Sequence, residues 1–374
     1  MSDVVIIGAG PAGVSAAVSL RDRGIGPVLI DRADQVAASW RSRYDRLKLN
    51  TGRQFSQLPD RPYPKGTPTF PTRDQVVAYL DHHAHEDGIT LQLGTFVERI
   101  DRQPRGWRLT TPAGDIDARY VVVATGYEHT AVIPDWPGRD GFTGELLHSS
   151  TYRNPTAFTG QRVLVVGAGS SAMEIAHDLA IGGAAKVWLA VRTPPNIILR
   201  ALPGGLPGDL IATPLYHAPI RLADAIARAA RRSAIGDLTE FGLPIPAEGI
   251  FTRNARGKAP AILDMEVIEA VKSGAIQVVA AVSGFDGGSV ILADGTTVAP
   301  DAVIAATGYR RGLEPLVGHL GVLDDSGRPR VLAPVPAADG LQFLGFLARP
   351  SLIGYMGKQS KRMAKRIAHE LSVA

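Results

Sequence analysis

Two glycine-rich hexapeptides carry the first legible chemistry in this chain. Gly8-Ala9-Gly10-Pro11-Ala12-Gly13 and Gly167-Ala168-Gly169-Ser170-Ser171-Ala172 each follow an apolar run, at 4–7 and 162–166, and each opens a helical pattern. In such a motif one glycine makes the tight turn, one lets the backbone approach a pyrophosphate, and the last small residue lets helix and sheet lie close. The unpaired N–H groups and positive end of the helix then face the phosphates. About 20 residues further on, a second apolar run ends in a charge: Asp31 in the first unit, Arg192 in the second. A carboxylate accepts hydrogen bonds from ribose hydroxyls. A guanidinium instead forks onto a 2′-phosphate that a carboxylate would repel, so the second nucleotide reads as NADPH rather than NADH. A solvated surface arginine fits the second pattern as well. Ser170 and Ser171 add hydroxyl donors at the pyrophosphate.

The elements that must position these groups follow from the apolar patterning. In the first unit we expect a strand at 4–7, a helix at 11–23 and a strand at 27–30. An amphipathic helix at 74–87, with Val76, Val77 and Leu80 on one face, ends at Gly88. His82, His83 and His85 suit the negative end of that helix better than a metal, since only two can share a face. Strands at 90–93, 96–101 and 107–111 lead back through Ala124-Thr125-Gly126. The second unit repeats the plan: strand 162–166, helix to about 181, strand 186–191, and a closing Ala306-Thr307-Gly308. Residues 197–217 are rich in Pro and Gly without a period and read as a loop excursion. A helix at 220–232 is expected to pack Ile220, Ala223, Ile226 and Ala230 inward and to leave Arg221, Arg228 and Arg232 in water. The last helix, from about 357, is expected to present a solvated basic face.

Between the two units lies Phe142-x-Gly144-x-x-x-His148-x-x-x-Tyr152. Flanked as it is, this segment resembles the fingerprint of the flavin-containing monooxygenases. Ser39-Trp40-Arg41 through Tyr44-Asp45-Arg46-Leu47-Lys48-Leu49, followed by Gln57-Leu58-Pro59, resembles the plant-type YUCCA branch, the indole-3-pyruvate monooxygenases. The chain departs from that branch at Asn50-Thr51, where the plant enzymes usually carry His and where animal and bacterial flavin monooxygenases carry a similar Asn. The resemblance implies that Asn50 is the catalytic side chain, lying against the flavin. An amide can donate and accept there without exchanging protons; an Asx turn at a strand end is the plainer reading. It also implies cofactor contacts from Arg32, Trp40, Arg41, Leu49, Thr51, Val97, Ala124, Thr125, Gly126, His148 and Gly345, beside the FAD unit's Gly8, Gly10, Pro11, Ala12, Gly13 and Asp31. NADPH contacts fall to Gly167, Gly169, Ser170, Ser171, Arg192, Thr307 and Gly308.

The fold class expected is α/β, with two Rossmann-like dinucleotide-binding domains of the glutathione-reductase-like kind. FAD takes residues 1–155 plus 311–374, and NADPH takes 156–310. The implied reaction has NADPH reduce FAD and O2 add to the reduced flavin as a C4a-(hydro)peroxide. The anion would attack a 2-oxo acid such as indole-3-pyruvate; the protonated form would oxygenate a soft amine or sulfide. Tyr152 stands where Baeyer–Villiger relatives carry Trp, which speaks against ketone-to-ester chemistry. The rivals are an NADPH-dependent flavoprotein reductase and a non-catalytic FAD/NADPH redox sensor.

Composition narrows the classes further. The chain has 374 residues, 45% hydrophobic and 20% charged, an ordinary globular balance. A net charge of +4 spread over that length points to no nucleic-acid partner. No apolar run approaches a bilayer span, so no membrane partner is expected; the default location is cytoplasmic, and a homodimer is admitted. Zero cysteines remove disulfides, thiolate metal sites and a redox dithiol at once, so no metal is expected.

Overall fold

A computed structural model describes residues 2–202, 205–257, 260–347 and 351–373. The apolar run at the start forms strand β1 (Ser2–Ile7), where Val4, Val5 and Ile6 are fully buried. Helix α1 (Pro11–Arg21) follows, with proline in its first turn, where its missing N–H costs nothing. Strand β2 (Val28–Ile30), the short helix α2 (Ala38–Arg41), helix α3 (Arg73–Ala84) and strand β3 (Thr90–Gln92) come next. A reciprocal capping box between Thr72 and Gln75 starts α3. His85 Nδ1 lies 2.8 Å from the Asp81 carbonyl at the helix end, whereas His83 turns to Glu86 at 2.6 Å. Strands β4 (Arg99–Gln103), β5 (Gly106–Thr110) and β6 (Ile116–Val123) complete the run. The strand expected at 96–101 therefore begins later, and Phe96 stays exposed. The sheet order is β3-β2-β1-β6-β5-β4, with β1, β2, β3 and β6 parallel and β4–β5–β6 an antiparallel meander.

After a two-residue strand β7 (Thr130–Ala131), the chain enters β8 (Glu145–His148), β9 (Arg162–Val166), α4 (Ser170–Ile181) and β10 (Lys186–Ala190). Residues 197–217, expected as a loop, contain β11 (Ile197–Leu199) and α5 (Asp209–Leu215). The partner of β11 arrives some sixty residues later, so no local period betrays it. In helix α6 (Ile220–Ala234) Ala223 is buried and Arg221, Arg228 and Arg232 are exposed as expected, but Ile220, Ile226 and Ala230 are exposed as well, and Asp224 and Arg231 are buried in their stead. Asp224 turns inward because it accepts from Phe251 N at 2.7 Å and from the Thr252 hydroxyl at 2.6 Å, at the start of α7 (Ile250–Ala255).

Strand β12 (Ala261–Leu263) pairs in parallel with β11, and α8 (Met265–Lys272) leads to β13 (Gln277–Val279). An antiparallel meander, β14 (Val282–Asp286), β15 (Ser289–Leu292) and β16 (Thr297–Val298), precedes β17 (Ala302–Ala305). The second sheet runs β13-β10-β9-β17-β8, all parallel. Strand β8 thus joins this sheet through the much later β17. Beyond β18 (Tyr309–Arg310), which pairs with β7, and α9 (Glu314–Val317), strand β19 (Leu341–Phe343) returns to the first sheet beside the C-terminal half of β6. Helix α10 (Leu352–Ser372) then packs on α1, where Ser360 Oγ meets the Ser15 and Ser19 hydroxyls at 3.2 and 2.9 Å. Lys358, Lys361, Arg362 and Lys365 face water as expected, whereas Arg366, expected beside them, is half-buried and donates to the Pro334 carbonyl. No helix among the described residues is long and apolar enough to cross a membrane.

Candidate active site between two nucleotide cradles

The two glycine motifs have the same backbone solution. Gly8 and Gly167 sit at φ +109° and +140°, where side chains are strained. A Cβ on either would strike the carbonyl of the closing strand of its own unit, Ala124 O at 2.6 Å or Ala306 O at 2.5 Å. Gly13 allows the third approach, since a Cβ there would lie 1.7 Å from Gly8 O. In the second unit Ala172 takes that place, with its Cβ 3.3 Å from where one on Gly167 would stand.

Gly10 and Gly169 differ from these in a telling way. Both are extended N-caps without a side-chain cap, and a Cβ on either would meet nothing within 4 Å. Each helix therefore presents bare N–H groups to open space, the arrangement a pyrophosphate needs. Asp31 ends β2 with its Oδ2 accepting from Ala9 N at 2.6 Å and its Oδ1 from Ala33 N at 2.9 Å, so it also fixes the turn. Gly345 presses on the same helix start: a Cβ there would lie 2.8 Å from that of Ala12. Arg192, at the end of the equivalent strand, is exposed. Ser170 Oγ accepts from Ile262 N at 2.9 Å and keeps its own hydrogen to donate. The residues present fit two dinucleotides.

Asn50 lies where the two units meet. Its Oδ1 accepts from Arg200 Nη2 at 3.1 Å. Arg200, at the end of β11, is 4% exposed and is held by Glu174 of α4 and by Asp264 after β12. Glu174 also accepts from the Tyr44 hydroxyl, reaching back to the first unit. Burial lifts the Glu174 carboxyl above its ordinary value against the pull of Arg200, and burial with the Glu174 charge lifts the Tyr44 phenol well above its own. On the other side of Asn50, Gly52 N donates to Asp209 Oδ2 at 2.9 Å. Asp209 is buried, its Oδ1 has no protein partner, and burial raises its pKa. Arg200, Glu174, Asp264 and Asp209 were absent from the expected site. The available signal was two acids, Glu174 and Asp178, in a helix made mostly of small and apolar residues, and one arginine after Ile197-Ile198-Leu199.

The remaining expected residues divide into neighbours and scaffold. Thr51 is buried, its hydroxyl 2.6 Å from that of Ser56, and Leu49 N donates to Pro71 O at 2.8 Å. Trp40 packs on the first core, and Val97 is buried beside Ile7 and Ile30. Arg41 turns to Val36 O and Asp81, and Arg32 Nη1 lies 2.9 Å from His129 Nε2. Gly126 and Gly308 both have positive φ with open space at Cβ, and Thr307 donates to Val132 O. His148 Nε2 is 3.1 Å from Gly308 O, and its Nδ1 accepts from Ser150 N at 3.1 Å. A carbonyl can only accept, so the ring is the neutral Nε2–H tautomer, in keeping with a pKa lowered by burial. Phe142 packs edge-on against Phe285, and Tyr152, 1% exposed, donates to Asp178 at 2.8 Å. The 142–152 fingerprint thus seats β8 on β17, meets the turn at Gly308 through His148 and reaches α4 through Tyr152.

The family described as pyridine nucleotide-disulphide oxidoreductase matches residues 5–196. An indole-3-pyruvate monooxygenase of the YUCCA type from Oryza sativa subsp. japonica is 36% identical over 366 residues, which span 95% of this chain and 88% of that protein. The chain belongs to the YUCCA-type flavin monooxygenases. A probable indole-3-pyruvate monooxygenase of Arabidopsis thaliana is 32% identical over 98% of this monooxygenase and 86% of its own length. Among solved structures, a flavin-containing monooxygenase from Stenotrophomonas maltophilia superposes with a TM-score of 0.76 at 24% identity, covering 99% and 100% of the two chains. A cyclohexanone monooxygenase superposes at 0.74 with 19% identity, covering 99% and 88%. These two likenesses carry the fold. The disulphide chemistry in the family description is closed to this monooxygenase's own side chains, since it has no cysteine.

Proposed function

We propose that the chain is an FAD-, NADPH- and O2-dependent monooxygenase of a small 2-oxo acid of the indole-3-pyruvate kind, with Asn50 as the side chain at the reacting centre. The observation that carries this reading is the position of Asn50. It belongs to the first nucleotide unit, yet its amide is hydrogen-bonded by a residue of the second. When bound, FAD reduced by NADPH supplies the activated oxygen. The chain's own residues do the rest. The N–H groups behind Gly10 and Gly169 receive the two pyrophosphates, with Asp31 at one ribose and Arg192 at the 2′-phosphate of the other. Residues 1–155 with 311–374 form the FAD-binding part, and 156–310 the NADPH-binding part, to whose sheet β8 adds an edge strand.

At the junction, the Asn50 amide donates a hydrogen bond without giving up a proton. The buried groups around it, Thr51, Ser56, Arg200 and Asp209, keep bulk water from that side. Support for the 2-oxo acid comes from relatives that match nearly the whole chain. A second reading, oxygenation of a soft amine or sulfide, draws on Asn50 itself, which stands where the plant enzymes usually carry His. The deciding experiment follows NADPH and O2 consumption by the FAD-loaded protein with indole-3-pyruvate, an amine and a sulfide, assaying each product. Decarboxylated oxygenated acid supports the first reading and an N- or S-oxide the second. NADPH oxidation that yields only hydrogen peroxide with every substrate would refute both.

A further inference from the structure

We infer that Arg200 is a positioning residue for this reaction, fixing which end of the Asn50 carboxamide is presented as the donor. The inference rests on the reading that Asn50 acts at the reacting centre. A guanidinium has donors and no acceptor, so the amide oxygen must face Arg200 and the NH2 end must face away from it. Without Arg200 the amide can flip, and an acceptor would stand where the donor is needed.

The surroundings of Arg200 serve that placement more than stability. The guanidinium is buried between Glu174 and Asp264, and its Nε has no protein partner. A buried cluster with an unsatisfied donor is a poor source of folding energy. The cluster also spans both units: Tyr44 and Asn50 come from the first, and Glu174, Arg200 and Asp264 from the second. Glu174 lies on α4, the helix whose start would receive NADPH, and from there it holds the Arg200 guanidinium. One turn further along α4, Asp178 accepts from Tyr152 at 2.8 Å and pairs with Arg46 at 3.4 Å, with no hydrogen bond to Asn50. It is the internal control.

The test uses the FAD-loaded full chain with NADPH, O2 and indole-3-pyruvate, reading hydrogen peroxide released per NADPH. Asn50→Ala and Arg200→Lys should each raise that ratio toward its ceiling of one peroxide per NADPH, as a misplaced group lets the activated oxygen decay without product. The double variant should do no worse than Asn50→Ala alone, since Arg200 acts only through Asn50. Glu174→Gln, close in shape, should move the ratio in the same direction, and Asp178→Asn should lower thermal stability without moving it. A second readout needs no turnover: in FAD-free protein labelled with 15N-asparagine, the side-chain NH2 signal lost in Asn50→Ala should shift toward solvent-exposed values in Arg200→Lys. An unchanged signal, or an Arg200→Lys effect that adds in full to that of Asn50→Ala, overturns the inference. If the wild type makes only peroxide, the functional reading fails separately, and the amide signal still decides whether Arg200 orients Asn50.

Discussion

Replacing Gly10 by Ala separates nucleotide binding from folding. Gly10 sits at φ −86° and ψ −170°, a conformation open to alanine, and a Cβ there meets no protein atom within 4 Å. The FAD-free chain should therefore be as stable as the wild type or gain about 0.4–1 kcal/mol, because alanine restricts the unfolded chain. The same methyl group projects into the space before the start of α1. Losing one charge-assisted hydrogen bond to phosphate costs about 1.5–3 kcal/mol, or roughly a 10- to 100-fold weaker FAD dissociation constant at about 1.4 kcal/mol per decade. Gly13→Ala should behave oppositely. Its Cβ would lie 1.7 Å from Gly8 O, so the backbone must move and the FAD-free chain should lose about 1–3 kcal/mol. Urea unfolding of the FAD-free variants gives the first quantity and flavin fluorescence titration the second. Unchanged FAD affinity in Gly10→Ala would refute the assignment of this turn to the pyrophosphate. Gly169→Ala, its counterpart, should leave FAD affinity alone and raise the KM for NADPH.

Arg192→Ala should raise the KM for NADPH by about 10- to 100-fold, the worth of one charge-assisted pair, while leaving the KM for NADH unchanged; steady-state kinetics with both nucleotides checks this. Asp31→Ala should weaken FAD binding and also cost about 1–3 kcal/mol of folding stability, because Ala9 N and Ala33 N lose their acceptor. An Asp31→Ala variant as stable as the wild type in urea would contradict that dual role. His83 is held neutral chiefly by burial, with a pKa lowered to about 4 from an ordinary 6.5, while Arg21 and Arg61 occupy its neighbour Glu86. The unfolded chain takes up that proton first, so the stability His83 confers is present above pH 6.5 and is lost as pH falls toward 4. His83→Gln should flatten that limb of a urea-midpoint profile, and an unaltered slope would show that other groups govern it.

What could be read from the chain was what is local. The strands at 4–7 and 162–166, the glycine turns and the helices behind them announce themselves within about 30 residues, and the structure repeats them almost atom for atom in Gly8 against Ala124 and Gly167 against Ala306. What stayed hidden was non-local. Strand β11 finds its partner in β12, and β8 waits for β17, so neither shows a pattern that names its sheet. Helix α6 misled for a related reason. Its burial is set by Asp224 capping α7, a partner that no periodicity of α6 contains.

The same distinction explains why the candidate catalytic centre was half visible. A duplicated nucleotide-binding unit makes two cradles that differ at a few positions, Gly13 against Ala172 and Asp31 against Arg192, and each can be judged on its own sequence. Neither cradle can orient a side chain toward a reaction that joins the two nucleotides. That task needs atoms from both units, and the residues proposed for it carry no motif: Arg200 from the 197–217 excursion and Glu174 from within α4, with Asp209 of the same excursion holding Gly52 N beside them. Their types are ordinary and their spacing irregular, because only the packed fold brings them to Asn50 and Gly52. Residues that bind a common cofactor are therefore legible in single motifs, whereas those that set what happens between two cofactors are legible only once the two units are docked.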